Sequence, residues 1–351
     1  MTQISIIGLD IAKSVFQFEA QDAQGAVVRT ERLSRDKLLP AIKTIPATVV
    51  AMEACATAHY WARQIRDLGH EVRLLPPAYV KPFVQRNKTD ARDAHAIAVA
   101  ATRPDMPRVP VKSVAQQCAR GLHTARDLLV GQRTQLINAL RGHLAEFGLV
   151  GARGDAGAKA VIGFVEAGHP DIPRTLLAAL RVLVRHWHEK VEAIAEIEAQ
   201  IKAEAKADAV AQRLMTIPFV GPMIAHATRA AIGEGQQFDS ARDYAAWLGL
   251  TPRTSASGQT RRTGRISKAG DQRLRRLYVL GATAALAKAK RHPDDMDPWL
   301  AELLKRRPAR VAAVALAAKL ARTVWAILTT GEAYDATRRR GQAGRLRPAA
   351  A

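Results

Sequence analysis

Cysteine is scarce in this sequence, which holds only Cys55 and Cys118 in 351 residues. Two thiols cannot build a disulfide framework, and the ten histidines lack the close spacing of tetrahedral zinc ligands. The chain also lacks a run of about eighteen apolar residues, and its opening lacks the basic start and long apolar stretch of a signal peptide. These absences argue against a disulfide-rich, zinc-binding or membrane-spanning protein and predict a cytoplasmic location.

Negative charge is also in short supply, because 32 Asp and Glu stand against 53 Lys and Arg and give a formal net charge of +21. This excess predicts a polyanionic partner, of which nucleic acid is the commonest and an anionic membrane surface is the alternative. Apolar residues make up 48% of the chain, which is enough for packed cores. The length predicts about two or three domains.

The first hundred residues alternate between strand-like and helix-like patterns. Three short apolar runs predict three strands, and a glycine-containing turn joins the second and third as a hairpin. Two helix and strand pairs follow, the first helix capped by Ser34, and a helix over residues 79–86 completes the order βββαβαβα. That order is typical of an α/β sheet with antiparallel and parallel strands, in which the first and fourth strands are able to lie side by side.

Four acidic residues occupy positions that favour a shared site. Asp10 closes the first predicted strand and Glu53 the fourth, while Asp90 and Asp93, three positions apart, lie on a loop entering the next helix. Open α/β sheets place their sites at strand ends, and Mg²⁺ prefers carboxylate oxygens held on several elements. The four carboxylates are therefore candidate ligands for one or two ions. The alternative is that each acid is a cap or a solvated surface residue.

Residues 113–208 change to strand-poor amphipathic helix. Two apolar stripes at spacings of three and four predict a helical hairpin or coiled coil, with a flexible glycine-rich connection at 151–160. Helix is predicted again from about Asp271 and across residues 309–334, and the basic tail that follows is predicted to be disordered.

A basic stretch separates these regions and is predicted to be a loop. It carries eight Lys or Arg against one acid, with Ser, Thr and Gly between them, which suits phosphate binding and close backbone approach. A solvated loop is the alternative. Ser257, directly before a glycine, is a candidate nucleophile, although such serines usually serve turn formation. The basic residues are Arg253, Arg261, Arg262, Arg265, Lys268, Arg273, Arg275 and Arg276.

Five segments together resemble the DEDD transposases of bacterial insertion sequences, the family that includes the Piv-type DNA invertases and the bridge-RNA-guided recombinases. The resemblance runs from about residue 4 to 334 and rests on "GLDIAKSVFQFEA", "VVAMEACATAHYWARQI", "NKTDARDAHAIA", "LGLTPRTSASGQTRRTGRISKAGDQRLRRLYVLGA" and "VALAAKLARTVWAILTTGE". It implies an α/β RuvC-like N-terminal domain of RNase H fold at 1–108, a coiled-coil helical domain at 109–208, a mostly α-helical transposase domain at 209–334 and a disordered tail at 335–351.

The resemblance also implies roles for residues. Asp10, Glu53, Asp90 and Asp93 match the acidic tetrad and are expected to bind Mg²⁺ or Mn²⁺. The serine motif of the family commonly reads P-R-x-x-S-S-G-G, and here it reads "PRTSASGQ", so that alanine and glutamine replace a serine and a glycine. Ser257 matches the nucleophile, and Ser255 is the alternative if the register differs by two.

The implied function is cutting and rejoining of donor and target DNA through a phosphoserine intermediate. The basic stretch is then expected to bind phosphates, and a structured noncoding RNA is expected to guide the enzyme. The coiled coil is expected to assemble a homodimer or homotetramer in which domains of different protomers complete each site. A cytoplasmic enzyme, associated with the nucleoid when active and with no membrane, is expected. The alternatives are a RuvC-like metal-dependent nuclease or junction resolvase that uses water, and a nucleic-acid-binding protein without catalysis.

Overall fold

The computed structural model describes residues 3–84, 90–258 and 260–336, without the side chains of Arg261 and Asp295. The chain divides into two compact units, Met1–Ala115 and Gln116–Ala351. The finer domain boundaries expected from the sequence remain predictions, and most of the expected disordered tail lies outside the described residues.

The first unit is built on a five-stranded sheet in the order β3-β2-β1-β4-β5. Strands β1, β2 and β3 are antiparallel, whereas β1, β4 and β5 run parallel. This arrangement confirms the predicted mixed sheet, with the first and fourth strands adjacent, and is compatible with an RNase H-like domain. The elements are β1 Ile6–Ile11, β2 Val15–Gln21, β3 Val27–Ser34, α1 Leu38–Lys43, β4 Val49–Glu53, α2 Ala58–Asp67, β5 Glu71–Leu75, α3 Pro77–Val80, a 3₁₀ turn Lys81–Phe83 and α4 Asp90–Ala101.

The two faces of this sheet bury different helices. Successive side chains of a strand point to opposite faces, so Ile7 and Leu9 of β1 pack with residues of α1 and α2 in one core. Ile6 points the other way and packs with the alanine-rich face of α4. Asp10 shares the face of Ile6 by the same alternation, and that face is the one covered by α4. The two cores thus fix the strand and the helix on which candidate acids lie.

Two local predictions in this unit were wrong. Ser34 is the last residue of β3, paired with Val15, and α1 begins after Lys37, which makes no side-chain capping bond. Ser34 therefore pairs within the sheet and does not cap α1. The helix expected over 79–86 is a short α3 followed by the 3₁₀ turn, because Pro82 has no N–H to donate to an α-helical hydrogen bond. Residues 85 and 86 lie outside the described residues.

The second unit is mostly helical and contains one short hairpin among its described residues. Helix α6 replaces the flexible connection predicted at 151–160, since its Val161 and Val165 pack with Leu140 and Leu180 of the long helices on either side. A coiled coil is not established by this packing and stays a prediction. The elements are α5 Val114–Ala145, α6 Asp155–Ala167, α7 Arg174–Ala207, α8 Ala209–Met215, α9 Pro222–Ile232, α10 Ala241–Trp247, β6 Pro252–Ser257, β7 Thr260–Ile266, α11 Gln272–Arg291, a 3₁₀ turn Pro293–Asp295, α12 Pro298–Arg306 and α13 Ala309–Thr330.

Helix α13 is long and apolar enough, by length and composition, to cross a membrane, with a mean hydropathy of 1.7 over an 18-residue window. Its sequence is not an uninterrupted apolar run, because Lys319 and Arg322 fall within it. Core helices meet the same criterion, and Leu316, Leu320 and Val324 are buried in the main core of the second unit. In this structure α13 therefore packs as a core helix.

A buried polar chain joins α5 to α9 and α7. His123 Nε2 lies 3.0 Å from His226 Nδ1, and His226 Nε2 lies 3.0 Å from a carboxylate oxygen of Glu204. Both histidines are buried, at 3% and 6% exposure. Burial, followed by the positive charges of His226 and Arg273, lowers the pKa of His123 to about 4. The His123 ring in this series of hydrogen-bonded side chains is therefore neutral near neutral pH.

Acid is expected to destabilise the second unit through His123. Because its pKa falls from 6.5 to about 4 on folding, the unfolded chain takes up the proton first as the pH drops. Between about pH 7 and about pH 4 the free energy of unfolding should decrease by about 3 kcal/mol through this group. Denaturant unfolding at both pH values measures it. His123→Gln should reduce the decrease, whereas the exposed control His186→Gln should keep it, and equal decreases in both variants would contradict the assignment.

Candidate active site

Three acidic side chains of the first unit form a cluster. Asp10 lies at the end of β1, and Asp90 and Asp93 lie in the first turn of α4. Carboxylate oxygens of the three lie within 4.8 Å of one another. The two aspartates thus belong to the helix itself and not to a loop before it, and the positive end of the helix dipole favours their charge. We call Asp10, Asp90 and Asp93 the acidic group.

Glu53 lies on the strand beside this group. In the parallel pairing of β1 with β4, Leu9 stands opposite Met52, so the next step along both strands sets Glu53 beside Asp10 on the same face. Burial raises the pKa of the Cys55 thiol, and the charges of Glu53 and Asp10 raise it further. Both carboxylates are therefore near one thiol. Among the described residues, however, Glu53 is not within the 4.8 Å cluster.

The close approach of α4 to β1 depends on Gly8. A Cβ atom at this position would lie 2.1 Å from the Ala94 carbonyl oxygen and 2.8 Å from the Ala98 nitrogen, which are backbone atoms of α4. Real contacts are never that short, so the helix lies directly on the glycine backbone. Gly8 precedes Asp10 by two residues and shares its face. The sequence analysis missed this residue, although the "GLD" at the strand end was the available signal.

A buried hydrogen-bond network also ties α4 to β2. His95 Nδ1 lies 2.7 Å from Glu19 Oε1, to which Gln21 Nε2 donates at 2.8 Å. Glu19 and Gln21 are buried, and a buried carboxylate needs such partners to offset its desolvation. Since His95 lies on the helix that begins with two members of the acidic group, the network helps to fix their position. The sequence did not indicate this network, because Glu19 and Gln21 lie on β2 and His95 lies on α4.

Replacing Gly8 by alanine is expected to displace α4 and disperse the acidic group. Overpacking of this kind costs about 1 to 3 kcal/mol of stability, which denaturant unfolding measures. The matched control is Gly131→Ala on the exposed side of α5, where a Cβ meets nothing within 4 Å. That change should stabilise the helix by up to about 1 kcal/mol. A Gly8→Ala protein as stable as the wild type would contradict the close packing.

The acidic group suits a divalent cation. Three carboxylates at this spacing repel one another unless a cation lies among them, and they stand in a chain of net charge +21. Carboxylate oxygens are the donors that Mg²⁺ and Mn²⁺ prefer. Asp90 is exposed, and Asp10 and Asp93 are partly exposed. The donor set, its spacing and its access all fit a metal ion shared with a substrate.

The basic stretch of the second unit is not the loop that the sequence predicted but is largely a β-hairpin. Strands β6 and β7 pair with Ser257 opposite Thr260 and Ser255 opposite Arg262, and Gly258, at a φ of 56°, begins the turn between them. Ser257 is exposed at the tip of this serine hairpin. Ser255 and Arg262 share its face by the alternation of side chains along strands.

The eight basic residues of this stretch divide by environment. Arg262, Arg265 and Lys268 are exposed, whereas the side chain of Arg261 lies outside the described residues. Four others make contacts within the second unit, although Arg253 and Arg276 are exposed as well. Arg253 donates to the Ser267 carbonyl at 3.1 Å, Arg275 to the Leu248 and Ala269 carbonyls at 2.9 and 2.6 Å, and Arg273 and Arg276 to Asp127 at 2.5 Å each.

Comparison with known proteins identifies both halves of the chain. A family model described as "Transposase IS116/IS110/IS902 family" matches residues 211–296, and a model described as "Transposase", of the DEDD type of IS110, matches residues 7–148. The second match contains the acidic group and Glu53, and the first contains the serine hairpin.

Similar proteins extend over nearly the whole chain. A "Probable family 20 transposase" of Pseudomonas aeruginosa is 45% identical over 94% of this chain and 98% of its own. The "Transposase for insertion sequence element IS1111A" of Coxiella burnetii is 39% identical over 95% and 92%. The "Transposase for insertion sequence element IS1328" of Yersinia enterocolitica is 37% identical over 95% and 100%. The chain therefore belongs to the IS110/IS116/IS902 family of transposases, enzymes that act on DNA.

Proposed function

We propose that this transposase cuts and rejoins donor and target DNA through Ser257, with a divalent cation held by the acidic group together with Glu53. The observation that carries the proposal is the meeting of three carboxylates from two separate elements, β1 and α4, in a chain of net charge +21. Support for the serine comes from its exposure at the tip of a hairpin whose same face carries Arg262.

A Mg²⁺ or Mn²⁺ ion held by these carboxylates would supply stabilisation of the negative charge that develops on the phosphate and leaving oxygens during phosphoryl transfer. The residues of the first unit supply the ligands for it. Asp10 presents its carboxylate from the end of β1, the central strand of the sheet, and Asp90 and Asp93 present theirs from the start of α4. Gly8 and His95 hold that helix in place.

Ser257 supplies the nucleophile in this proposal. Its Oγ forms a bond to a DNA phosphorus, the bond from that phosphorus to a deoxyribose oxygen breaks, and the serine proton ends on the leaving oxygen. A hydroxyl from another DNA end later attacks the phosphoserine, and its proton returns to Ser257. No oxidant or energy source is needed, since one phosphodiester is exchanged for another. In this proposal Arg262, on the same face of the hairpin as Ser257, neutralises the attacked phosphate.

A nuclease or junction resolvase that uses water is the second candidate function. The observation that favours it is that the acidic group is complete within the first unit, while Ser257 belongs to the second. Water attack needs only the former. The two candidates differ in the covalent link between protein and DNA, which exists only if serine attacks.

The experiment is to incubate the full chain with DNA that spans an end of its element, with Mg²⁺, and to separate the products on a denaturing gel. A DNA strand that migrates with the protein, and is released by protease, supports serine attack. Cut DNA without any protein-linked strand supports water attack. Intact DNA under all conditions contradicts both.

Three further features belong to the proposal. The chain carries more positive charge than the proposed DNA contacts use, and this excess suits a structured guide RNA. We expect such an RNA to copurify with the protein and to direct its choice of target. The long helices α5 and α7 are expected to support a homodimer or homotetramer. The enzyme is expected to act in the bacterial cytoplasm, at the nucleoid.

A further inference from the structure

An open pocket of about 380 Å³ lies where α5 meets the start of α11 in the second unit. Its lining carries three guanidinium groups, of Arg120, Arg273 and Arg276, against two carboxylates, of Asp127 and Asp271, which leaves one positive charge. We call it the arginine pocket. Its lining includes no residue of the serine hairpin or of the acidic group. No local pattern in the sequence links Arg120 and Asp127 to the basic stretch, which lies about 150 positions further along the chain.

Asp127 holds the centre of this pocket. Its Oδ2 accepts from Arg273 Nε and its Oδ1 from Arg276 Nη2, each at 2.5 Å. The two non-bridging oxygens of a phosphodiester resemble the two oxygens of this carboxylate, because both pairs sit on one atom and are able to accept from two different guanidinium groups. Arg126, beside Asp127, pairs with Glu198 at 2.5 Å and adds no net charge. The Asp127 carboxylate thus occupies the position that suits a phosphate.

The second carboxylate of the lining, that of Asp271, is less exposed than that of Asp127. Asp271 caps α11 by accepting from the Leu274 N–H at 2.9 Å, and it pairs with Arg120 at 3.1 Å. Burial raises its pKa, but the Leu274 hydrogen bond and the charges of Arg120 and Arg273 lower it more, so the carboxyl stays ionised near neutral pH. Its side chain is 14% exposed, whereas Arg120 and Arg276 are 39% and 53% exposed. The accessible groups of the pocket are therefore cationic.

We propose that the arginine pocket binds one phosphodiester of a nucleic-acid strand, with Arg120 and Arg276 as its ligands and Asp127 as the internal group that it displaces from Arg276. One phosphodiester carries one negative charge, which matches the charge that the pocket leaves uncompensated. A guanidinium group has five N–H donors, and Arg276 uses one of them for Asp127. Arg273 is 23% exposed and stays paired with Asp127. The inference rests on the proposed action on nucleic acid and not on Ser257 as nucleophile.

The test measures binding without strand cutting. The full chain, in EDTA, is titrated with a labelled DNA duplex and separately with a structured RNA, over a range of salt concentrations, by fluorescence anisotropy. Arg276→Gln should reduce the slope of log K against log salt by about one, the value for one lost phosphate contact. Asp127→Asn should bind roughly threefold or more tightly, because the arginine no longer has to leave a charged partner. Arg310→Gln removes an equal charge from the exposed start of α13 and serves as the control.

The outcomes separate the possibilities. A changed slope with DNA, with RNA or with both supports the pocket and shows which strand occupies it. An unchanged slope in Arg276→Gln, or an Asp127→Asn protein that unfolds at the wild-type temperature and binds no more tightly, overturns it. If Asp127→Asn fails to fold, the slope of Arg276→Gln decides alone. Loss of catalysis in Ser257 variants does not affect any of these readings, because no strand is cut in EDTA.

Discussion

Asp10→Asn is expected to abolish strand cutting while the protein stays folded and still binds DNA. The carboxylate lies at the end of β1, within 4.8 Å of Asp90 and Asp93. An amide in its place removes one charged ligand from the acidic group, so a divalent cation is held more weakly. Loss of metal stabilisation corresponds to about 4 kcal/mol, or roughly a thousandfold in rate. Cutting of element-end DNA under single-turnover conditions measures the loss.

The matched control for this prediction is Asp67→Asn. Asp67 ends α2 in the same unit, is exposed, and lies away from the strand ends. Its replacement changes charge equally and should leave cutting within about twofold of the wild type, as exposed substitutions usually do. Titration calorimetry with Mn²⁺ gives a readout independent of activity, since Asp10→Asn should bind the ion more weakly and Asp67→Asn should not. An active Asp10→Asn enzyme would refute the metal site.

The placement of Asp10 and Glu53 on adjacent strands could be predicted because three signals agree. Strand alternation gives the faces of β1 and β4, the order βββαβαβα makes these strands neighbours, and the acids stand at strand ends. What the sequence does not contain is the distance between helix and sheet. Gly8 sets that distance, since any side chain there would strike the Ala94 carbonyl.

The serine hairpin could not be predicted from hydrophobic pattern. Its β6 strand is exposed along its whole length, so no alternation of buried and exposed residues marks it. Gly258, which begins its turn, is typical of a loop as well as of a hairpin. Helix α6 was missed for the opposite reason, because glycines at 154 and 157 suggest flexibility while the apolar residues that pack it follow later.

The sequence gives the net charge of the chain but not the contacts of each charged side chain. Arg273, Arg275 and Arg276 are close in sequence and are equally plausible phosphate ligands by charge alone. In the structure, Arg275 donates to two backbone carbonyls, whereas Arg273 and Arg276 pair with Asp127. Ion pairs between residues almost 150 positions apart leave no local signal in a sequence. Only the fold shows which guanidinium groups remain accessible. It leaves those of Arg262 and Arg265 exposed on the serine hairpin and that of Arg276 exposed in the arginine pocket.

Ser257→Ala is expected to remove the covalent protein–DNA link and to reduce strand exchange by at least about a thousandfold, because alanine has no nucleophile. Ser255→Ala is the matched control, since Ser255 lies two residues away on the same strand and the same face of the hairpin. Both positions are exposed, so both changes should alter stability by no more than about 0.5 kcal/mol. Denaturing gels with labelled DNA, and thermal unfolding of each variant, measure the two effects.

The pair of variants distinguishes a catalytic serine from a hairpin that merely contacts DNA. If the hairpin only binds phosphate, each alanine weakens affinity slightly and the covalent link, where one exists, survives in both. If Ser257 attacks, only its variant loses the link while DNA affinity is retained, since Arg262 remains in place opposite Ser255. If only Ser255→Ala loses the covalent link, Ser255 is the nucleophile instead of Ser257. If both variants keep the link, neither serine is the nucleophile. Because the two side chains share exposure, strand and face, a difference between them must come from contact with the reacting phosphate.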